Sequence, residues 1–259
     1  MMIAGRFARG AFFYVCMLRK EYRMKHFKIL FLGLLAVSIV SFAHAPVSIK
    51  EAKKAYADAK MAIVNYYIKK DAFGLTGFEC ELACICEEAK QRFIKYSVTQ
   101  KDVVVFDIDE TLLSNLDLVL EENFESKRGS DANHIFRVNQ RCTPIKPTIE
   151  FCAWLRALGY KVVFITSRRL WMKGYEEGTR GNLAREGVSI DDQDGLFLLE
   201  QKYAEGSGAI SIGAWKRLVR DDLRKKSYNI VACIGDDEGD LAGADEAGVY
   251  NVKLPNYLY

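Results

Sequence analysis

The feature that most restricts the fold of this chain is the alternation of short apolar segments with longer amphipathic ones. Five apolar segments have the length of β-strands, at residues 103–106, 161–166, 196–199, 229–234 and 250–254. Helical patterns lie between them, at residues 148–158, 170–185, 214–226 and 240–247. Strands that lack a polar face must be covered on both sides, and strands joined through helices run parallel. The pattern therefore predicts an α/β fold with a parallel sheet and helices on both faces, wound right-handed.

Helical periodicity also precedes the first strand. Apolar residues recur at intervals of three and four in residues 48–69 and 79–95. These two segments predict an N-terminal helical pair.

The segment between the first two strands is long enough for a small cap. Residues 117–125 and 131–142 have helical patterns within a stretch of about 116–160. Residues 170–211 leave little room beyond the core elements, so we expect no large second lid. A single small cap predicts an open site.

The first 45 residues have the pattern of a leader. From Met24 a basic start is followed by the apolar residues 29–42 and by small residues at Ala43 and Ala45, as in a secretory signal peptide. The apolar run is short for a membrane-spanning helix. We therefore expect an exported protein, periplasmic or secreted, with no stable membrane anchor after cleavage behind Ala43 or Ala45. We interpret residues 1–23 as the product of a mis-assigned start codon, and an N-terminal membrane anchor is the alternative.

Export would place six cysteines in an oxidising compartment, where disulfides can form. They are Cys80, Cys84, Cys86, Cys142, Cys152 and Cys233. The first three lie in a helix-like stretch, where free cysteine commonly packs as a small hydrophobe. Packing or a disulfide is favoured over metal binding there, and the spacing does not identify the pairs.

Charge and histidine content exclude several classes of function. The net charge is +3, but 30 of the 37 basic and 33 of the 34 acidic residues lie from Pro46 onward, which makes that part net −3. This balance does not favour nucleic acid polymers or anionic membranes as partners. Of the three histidines only His134 lies outside the leader. Ser-His-Asp hydrolases and multi-histidine zinc sites are therefore excluded.

Two carboxylates follow the end of the first strand. Asp107 and Asp109 come directly after the apolar residues 103–106, and in parallel sheets the chemistry collects at the carboxyl ends of the strands. Like charges this close favour a cation, and Mg²⁺ prefers oxygen ligands. One carboxylate could attack phosphorus while the other acts as general acid and base. An Asp-rich turn at a strand end is the alternative explanation.

Other polar residues follow the later strands. Thr166 and Arg168 end the second strand, where a hydroxyl and backbone N–H groups could hold a phosphate oxygen. Lys216 lies on the helix after the third strand, and Asp236 and Asp240 follow the fourth. Each residue alone has an ordinary explanation as a turn, cap or surface residue. Together they supply a nucleophile, a metal site and positive groups, which is what phosphoryl transfer requires.

These residues resemble the four motifs of the haloacid dehalogenase (HAD) superfamily. The matching positions are DIDET from Asp107, Thr166, Lys216 and the GDxxxD pattern of residues 235–240. Within the superfamily the chain is similar to the class B-type acid phosphatase group, which includes secreted bacterial acid phosphatases and plant vegetative storage proteins. The shared features are FDIDETLLSN at 106–115, Trp215 and Lys216 with Arg220, GDxxxDLxG ending at Gly243, and KLPN at 253–256. The resemblance runs from about residue 48 to residue 259.

The resemblance implies a secreted, Mg²⁺-dependent acid phosphatase domain over residues 46–259, with a Rossmann-like sheet. Such an enzyme hydrolyses small phosphomonoesters through an aspartyl-phosphate. By analogy Asp107 is the nucleophile and Asp109 the general acid and base, while Mg²⁺ binds Asp107, the Asp109 backbone carbonyl and Asp236. The other implied site residues are catalytic Thr166 and Lys216, with Asp240 and Arg168 in support.

The chain departs from the group's pattern in two places. Leu116, Asp117 and Leu118 stand where relatives often carry a tyrosine, which puts an aromatic platform for a substrate base in doubt. The lysine motif reads WKRLVR instead of a YKS-type start.

Other functions fit the residues less well. A phospho-accepting receiver domain uses similar residues, but here the last acid cluster follows the lysine. Cys86 and Arg92 have the spacing of a cysteine phosphatase, but an acidic helical stretch lacks the nest of N–H groups that binds phosphate. A non-catalytic storage or binding protein and a specific 5′-nucleotidase stay open as alternatives. The presence of Asp107 and Asp109 argues against the storage function.

Overall fold

The computed structural model describes residues 49–72, 74–125, 130–190 and 195–258. The predicted leader lies outside these residues. The chain divides into two compact units, Met1–Gly77 and Phe78–Tyr259. Among the helices described, none is both long enough and apolar enough to cross a membrane.

The described part of the first unit contains helix α1, Ile49–Ile68. After the helix, Asp71 turns the chain, because its Oδ1 accepts a hydrogen bond from Leu75 N at 3.1 Å. Lys70 and Thr76 then pair as an isolated antiparallel bridge. The first helix predicted from the sequence is confirmed to within one residue at each end.

The second unit alternates helices and strands. Its helices are α2 (Gly77–Phe93), α3 (Leu116–Glu121), α4 (Asp131–Val138), α5 (Lys146–Ala157), α6 (Tyr175–Arg185), α7 (Gln201–Ala204) and α8 (Ile212–Lys225). Its strands are β1 (Asp102–Phe106), β2 (Leu113–Ser114), β3 (Thr143–Pro144), β4 (Lys161–Arg169), β5 (Leu196–Leu199), β6 (Asn229–Gly235) and β7 (Tyr250–Lys253). Short 3₁₀ turns occur at Gly206–Gly208 and Glu238–Asp240.

Five strands form one parallel sheet in the order β5-β4-β1-β6-β7. β1 lies at the centre and is buried along its whole length. At its carboxyl end Phe106 is in register with Phe164 of β4 and with Ile234 of β6. The predicted parallel α/β fold is confirmed.

Helices cover both faces of the sheet. On one face, Val103 and Val163 belong to a buried cluster that includes Trp215 and Leu223 of α8. On the other face, the ring of Phe106 lies 6.2 Å from that of Phe151 on α5. The apolar side chains of β1 thus contribute to two cores, as expected for a strand without a polar face.

The predicted cap is formed by α3, α4 and the antiparallel pair of β2 with β3. Both helices end earlier than the sequence pattern predicted. Asn123 and Phe124 after α3, and Gln140 after α4, have left-handed backbone angles that end a helix. The β2–β3 pair was not predicted, because two-residue strands carry no readable periodicity.

The helix predicted at residues 240–247 is wrong. Only the 3₁₀ turn at Glu238–Asp240 forms there. The backbone groups of the next residues are bound by side chains: Arg220 donates to Leu241 O at 3.1 Å, and Asn251 bonds both the N–H and the carbonyl of Ala242 at 2.9 Å. These contacts replace the i to i+4 bonds of a helix.

Three cysteines of the described region, Cys86, Cys142 and Cys233, are thiols that form no disulfide. Cys86, Cys142, Cys152 and Cys233 are buried. Burial raises the pKa of Cys86 and Cys233 to about 12. These side chains therefore fill apolar space as protonated thiols, in line with the packing alternative.

Candidate active site

The carboxyl ends of β1 and β6 bring the predicted acidic residues together. The pairing of these strands continues one residue further, because Asp107 N donates to Ile234 O at 2.9 Å. Asp107, the first residue after β1, therefore lies beside the end of β6. Asp236 is the first residue after β6. The sheet order explains why residues far apart in sequence share one edge.

Three carboxylates form a cluster at this edge. Asp107, Asp236 and Asp240 each have an oxygen atom within 4.8 Å of those of the other two. The Lys216 ammonium group contacts the Oδ1 atoms of both Asp107 and Asp240. One positive charge against three carboxylates leaves an excess of two negative charges in a largely buried place.

The excess charge changes the acidity of the cluster. Burial and the neighbouring Asp240 raise the pKa of Asp236 to about 6. Burial also raises the pKa of Asp107, and Asp240 adds to this effect while Lys216 opposes it. Burial lowers the pKa of Lys216, but Asp107 and Asp240 outweigh it and keep the lysine charged. Carboxylate oxygens with two unbalanced charges fit a hard divalent cation.

Lys216 reaches the cluster because α8 begins very close to the turn that carries Asp240. A Cβ atom on Gly213, near the start of α8, would lie only 3.1 Å from the Cα atom of Gly239. Ser211 caps the helix by accepting a hydrogen bond from Ala214 N at 3.2 Å. Two facing glycines thus allow the approach that places the ammonium group between the two carboxylates.

Asp240 is held by its own turn. Its Oδ2 accepts a hydrogen bond from Asp237 N at 2.8 Å, while Asp237 Oδ1 accepts one from Gly239 N at 2.8 Å. These reciprocal bonds leave the Oδ1 of Asp240 to face Lys216. The sequence suggested Asp240 only as a supporting residue, and the structure places it inside the carboxylate cluster.

The carboxylate of Asp109 lies apart from that cluster. Arg168 binds it in a bidentate manner, with Nε 3.0 Å from Oδ2 and Nη2 2.9 Å from Oδ1. Arg137 Nε lies 3.3 Å from the same Oδ1, and Asn115 donates to it at 3.1 Å. Burial raises the pKa of Asp109, but the two arginines outweigh it and hold the pKa well below its usual range.

Arg168 is itself fixed by the protein interior. It is 1% exposed, and its Nη1 donates to Thr179 Oγ1 at 2.9 Å. Thr166, two residues earlier in β4, is also buried, and its hydroxyl accepts a hydrogen bond from Arg168 N at 3.3 Å. Arg168 was expected in a supporting role, and its direct contact is with Asp109. The phosphate-binding role of Thr166 stays a prediction.

Glu110 folds the first motif into a turn. Its backbone is left-handed, with φ of 56°, and its side chain is buried. Its Oε1 accepts hydrogen bonds from Asn115 N at 2.7 Å and from Asn115 Nδ2 at 2.9 Å. Burial raises the pKa of Glu110 to about 7. The turn directs the Asn115 amide toward Asp109. This contact gives Asn115, the last residue of the FDIDETLLSN segment, a place in the site.

Sequence reasoning missed Arg137 and the role of Thr111. Arg137 comes from the cap helix α4, 28 residues beyond Asp109, where nothing local marks it as part of the site. Thr111 belongs to the first motif, and its hydroxyl lies 3.2 Å from Asp236 Oδ1. Only the three-dimensional packing joins these residues to the carboxylates.

A comparison with known families supports the sequence resemblance. The family model of HAD superfamily, subfamily IIIB (acid phosphatase) matches residues 35–259. The chain belongs to this family. The match includes all the predicted site residues.

Three plant proteins illustrate the similarity. The stem 28 kDa glycoprotein of Glycine max is 31% identical over 163 residues, which is 62% of this chain and 61% of that protein. Vegetative storage protein 1 of Arabidopsis thaliana is 32% identical over 160 residues, 61% of this chain and 55% of that protein. Acid phosphatase 1 of Solanum lycopersicum is 26% identical over 196 residues, 74% of this chain and 72% of that protein. This subfamily IIIB chain thus spans about three fifths of the length of the Glycine max glycoprotein.

Among solved structures, the class C acid phosphatase from Bacillus anthracis has a similar fold. The TM-score is 0.55 at 15% sequence identity, and the alignment covers 78% of this chain and 85% of that one. At this level of identity the similarity shows a common fold for the subfamily IIIB chain and the bacterial enzyme.

Proposed function

We propose that this subfamily IIIB protein is a secreted Mg²⁺-dependent acid phosphatase that hydrolyses small phosphomonoesters through an aspartyl-phosphate. The observation that carries the proposal is the largely buried cluster of the Asp107, Asp236 and Asp240 carboxylates, of which Asp107 and Asp240 contact the ammonium group of Lys216. Its two unbalanced negative charges suit a divalent cation. Membership of an acid phosphatase family supports the same reaction.

The residues that would hold Mg²⁺ are Asp107, Asp236 and the backbone carbonyl of Asp109. When bound, the cation would supply positive charge that allows a phosphate dianion to approach the carboxylates. Lys216 would hold Asp107 and keep it charged. Thr166 would offer its hydroxyl to a phosphate oxygen.

The reaction would have two steps. Asp107 attacks phosphorus and the bond to the ester oxygen breaks, so that the phosphoryl group stays on Asp107 and the ester oxygen takes a proton from Asp109 and leaves as the alcohol. Asp109 then takes a proton from water, the water oxygen bonds to phosphorus, and the bond to Asp107 breaks. Because Arg137 and Arg168 favour the charged form of Asp109, its environment suits the base of the second step better than the acid of the first.

A direct assay tests the activity. Purified protein should hydrolyse p-nitrophenyl phosphate, lose this activity in excess chelator and regain it with Mg²⁺. Asp107→Asn should be inactive, while Asp245→Asn, at an exposed acid paired with Arg217, should match the wild type. Full activity of the metal-free protein would refute the cation site.

A second experiment tests the covalent step. General base catalysis is typically worth about 10²- to 10⁴-fold, so Asp109→Asn should form the phosphoenzyme but hydrolyse it slowly. Rapid-quench kinetics should show one burst of p-nitrophenol per site, with the phosphoryl label on Asp107. A label on another residue would overturn the assigned nucleophile.

The alternative is a non-catalytic storage protein on the same scaffold, which the similarity to a vegetative storage protein favours. That alternative predicts no turnover with any phosphomonoester, although the protein folds. A panel of nucleotides, sugar phosphates and phosphotyrosine separates it from a general phosphatase and from a specific 5′-nucleotidase.

A further inference from the structure

The C-terminal segment after β7 runs along the edge of the sheet that carries the candidate site. Leu254 is buried, and its N–H donates to Gly235 O at 2.9 Å. Leu258 is also buried, at 6% exposure. These two leucines fix the segment on either side of Asn256.

The side chain of Asn256 connects this segment to the carboxylate cluster. Its Nδ2 donates to Asp236 Oδ2 at 2.7 Å, and its Oδ1 accepts from Leu258 N at 2.9 Å. A carboxylate can only accept and a backbone N–H can only donate, so these two partners define the orientation of the amide. Asn256 is thus a directed donor to Asp236.

The three carboxylates are held in two different ways. Lys216 contacts Asp107 and Asp240 directly. The carboxylate of Asp236 is held instead by Asn256 on Oδ2 and by the hydroxyl of Thr111 on Oδ1. Lys253, just before the segment, bonds the backbone carbonyl of Asp236. The orientation of Asp236 therefore depends on residues from the C-terminal end of the chain.

We propose that Asn256 is a positioning residue for the cation site and that the C-terminal segment is part of the active site. This inference rests on the proposed function, because it assigns Asp236 as a cation ligand. Hydrogen bonds to ligating carboxylates orient them, and their loss typically weakens metal affinity by about 10- to 100-fold. Asn256 does not touch the substrate in this scheme and acts through Asp236.

The test is direct measurement of Mn²⁺ binding by electron paramagnetic resonance, in full-length protein without substrate. Asn256→Ala should raise the dissociation constant at least tenfold. Asn256→Leu, which keeps the number and branching of the side-chain heavy atoms, should do the same, so a folding defect in one variant does not leave the question open. At saturating Mg²⁺ both variants should recover most of the wild-type kcat.

Asn229→Ala is the matched control. Asn229 donates to Asp102 Oδ1 at 2.6 Å, an equivalent amide–carboxylate bond at the opposite ends of β6 and β1. Its loss should leave Mn²⁺ affinity within twofold of the wild type. If both Asn256 variants also bind Mn²⁺ within twofold of the wild type, the positioning role is overturned. If the wild type itself binds no Mn²⁺, the cation site of the proposed function fails instead.

Discussion

Asp109 is held by two arginines that come from different parts of the chain. Arg168 lies near the end of β4 and is buried, whereas Arg137 belongs to the cap helix α4, and its side chain is 13% exposed. Two positive charges on one carboxylate leave a net positive charge beside the place proposed for the phosphate. Through Arg137, the cap therefore contributes a positive charge to the candidate active site.

Replacing Arg137 tests this role. Arg137 Nε forms an ion pair with Asp109 and donates a hydrogen bond at 3.1 Å to Asn115 Oδ1, whose amide in turn donates to Asp109. Hydrogen bonds to charged groups are worth about 1.5–3 kcal/mol, so Arg137→Gln should lower kcat/KM for p-nitrophenyl phosphate by about tenfold or more. Arg137→Lys, which keeps the charge, should recover part of the loss. Arg141→Gln is the control, since Arg141 forms an exposed ion pair with Glu121 on the same cap, and such pairs contribute about 0–1 kcal/mol. Equal losses in the Arg137 and Arg141 variants would contradict the role of Arg137.

The sequence pointed to polar residues that follow strands and to Lys216 on a helix, but not to Arg137 or to the role of Asn256. Asp107 and Asp236 could be predicted to lie close together because each follows the end of an apolar segment, where parallel sheets collect their polar residues. Arg137 and Asn256 could not, because their roles depend on contacts with residues 28 and 20 positions away. Around Arg137 the sequence shows only an amphipathic helix. The KLPN segment that contains Asn256 resembles the family but does not show what the side chain contacts.

At the level of elements, the cap depends on close packing of α4 against α6. A Cβ atom on Gly178 of α6 would lie 2.8 Å from Val138 Cα and 2.9 Å from Val138 O, at the end of α4. These are backbone atoms and cannot move aside alone. Val138 directly follows Arg137, so this glycine sets how closely the arginine approaches Asp109.

Gly178→Ala should therefore destabilise the protein and lower its activity. Overpacking costs about 1–3 kcal/mol, which exceeds the ~1 kcal/mol that alanine gains over glycine in a helix. Gly181→Ala is the matched control on the same helix, because its Cβ would meet the flexible end of the Gln140 side chain. Urea unfolding should show a lower free energy of unfolding for Gly178→Ala and an equal or higher one for Gly181→Ala. A stabilised Gly178→Ala protein with normal kcat/KM would contradict the packing argument.

The elements that the sequence predicted best are those that apolar burial determines. The predicted bounds of β5 agree with the structure at both ends, and those of β1 and β6 differ by one residue. Their apolar runs contain few polar residues, so the ends of the strands can be recognised in the sequence. The helix expected at residues 240–247 failed because Arg220 and Asn251 bind its backbone groups. The start of α6 came five residues late, at Tyr175, since Gly174 before it has a left-handed backbone with φ of 79°. Such helix boundaries depend on side-chain contacts with the backbone and on backbone angles. The periodicity of apolar residues in the sequence does not reveal either of them.

At the scale of the whole molecule, charge separates the leader from the rest of the chain. The first 45 residues carry seven basic residues and one acidic residue, whereas the remainder is net −3. A basic start, an apolar run and small residues in this order are the pattern of a signal peptide. The proposed secretion therefore rests on the sequence of this segment.

Export predicts a defined mature N-terminus. The extracytoplasmic protein should begin at His44 or Pro46, because the small residues Ala43 and Ala45 precede these positions. Edman sequencing of that fraction measures the N-terminus directly. Proline after Ala45 hinders cleavage there, so His44 should be the main product.

Two variants separate the start site from the export signal. Deleting residues 1–23, so that translation begins at Met24, should leave export and the mature N-terminus unchanged. Replacing Leu34 and Leu35 by arginine places two charges in the apolar run, which removes its affinity for a nonpolar environment, and should keep the protein inside the cell. Extracytoplasmic protein that still carries residues 1–23 would contradict both the start site and the cleavage. Export of the double arginine variant at the normal level would show that this run is not the signal.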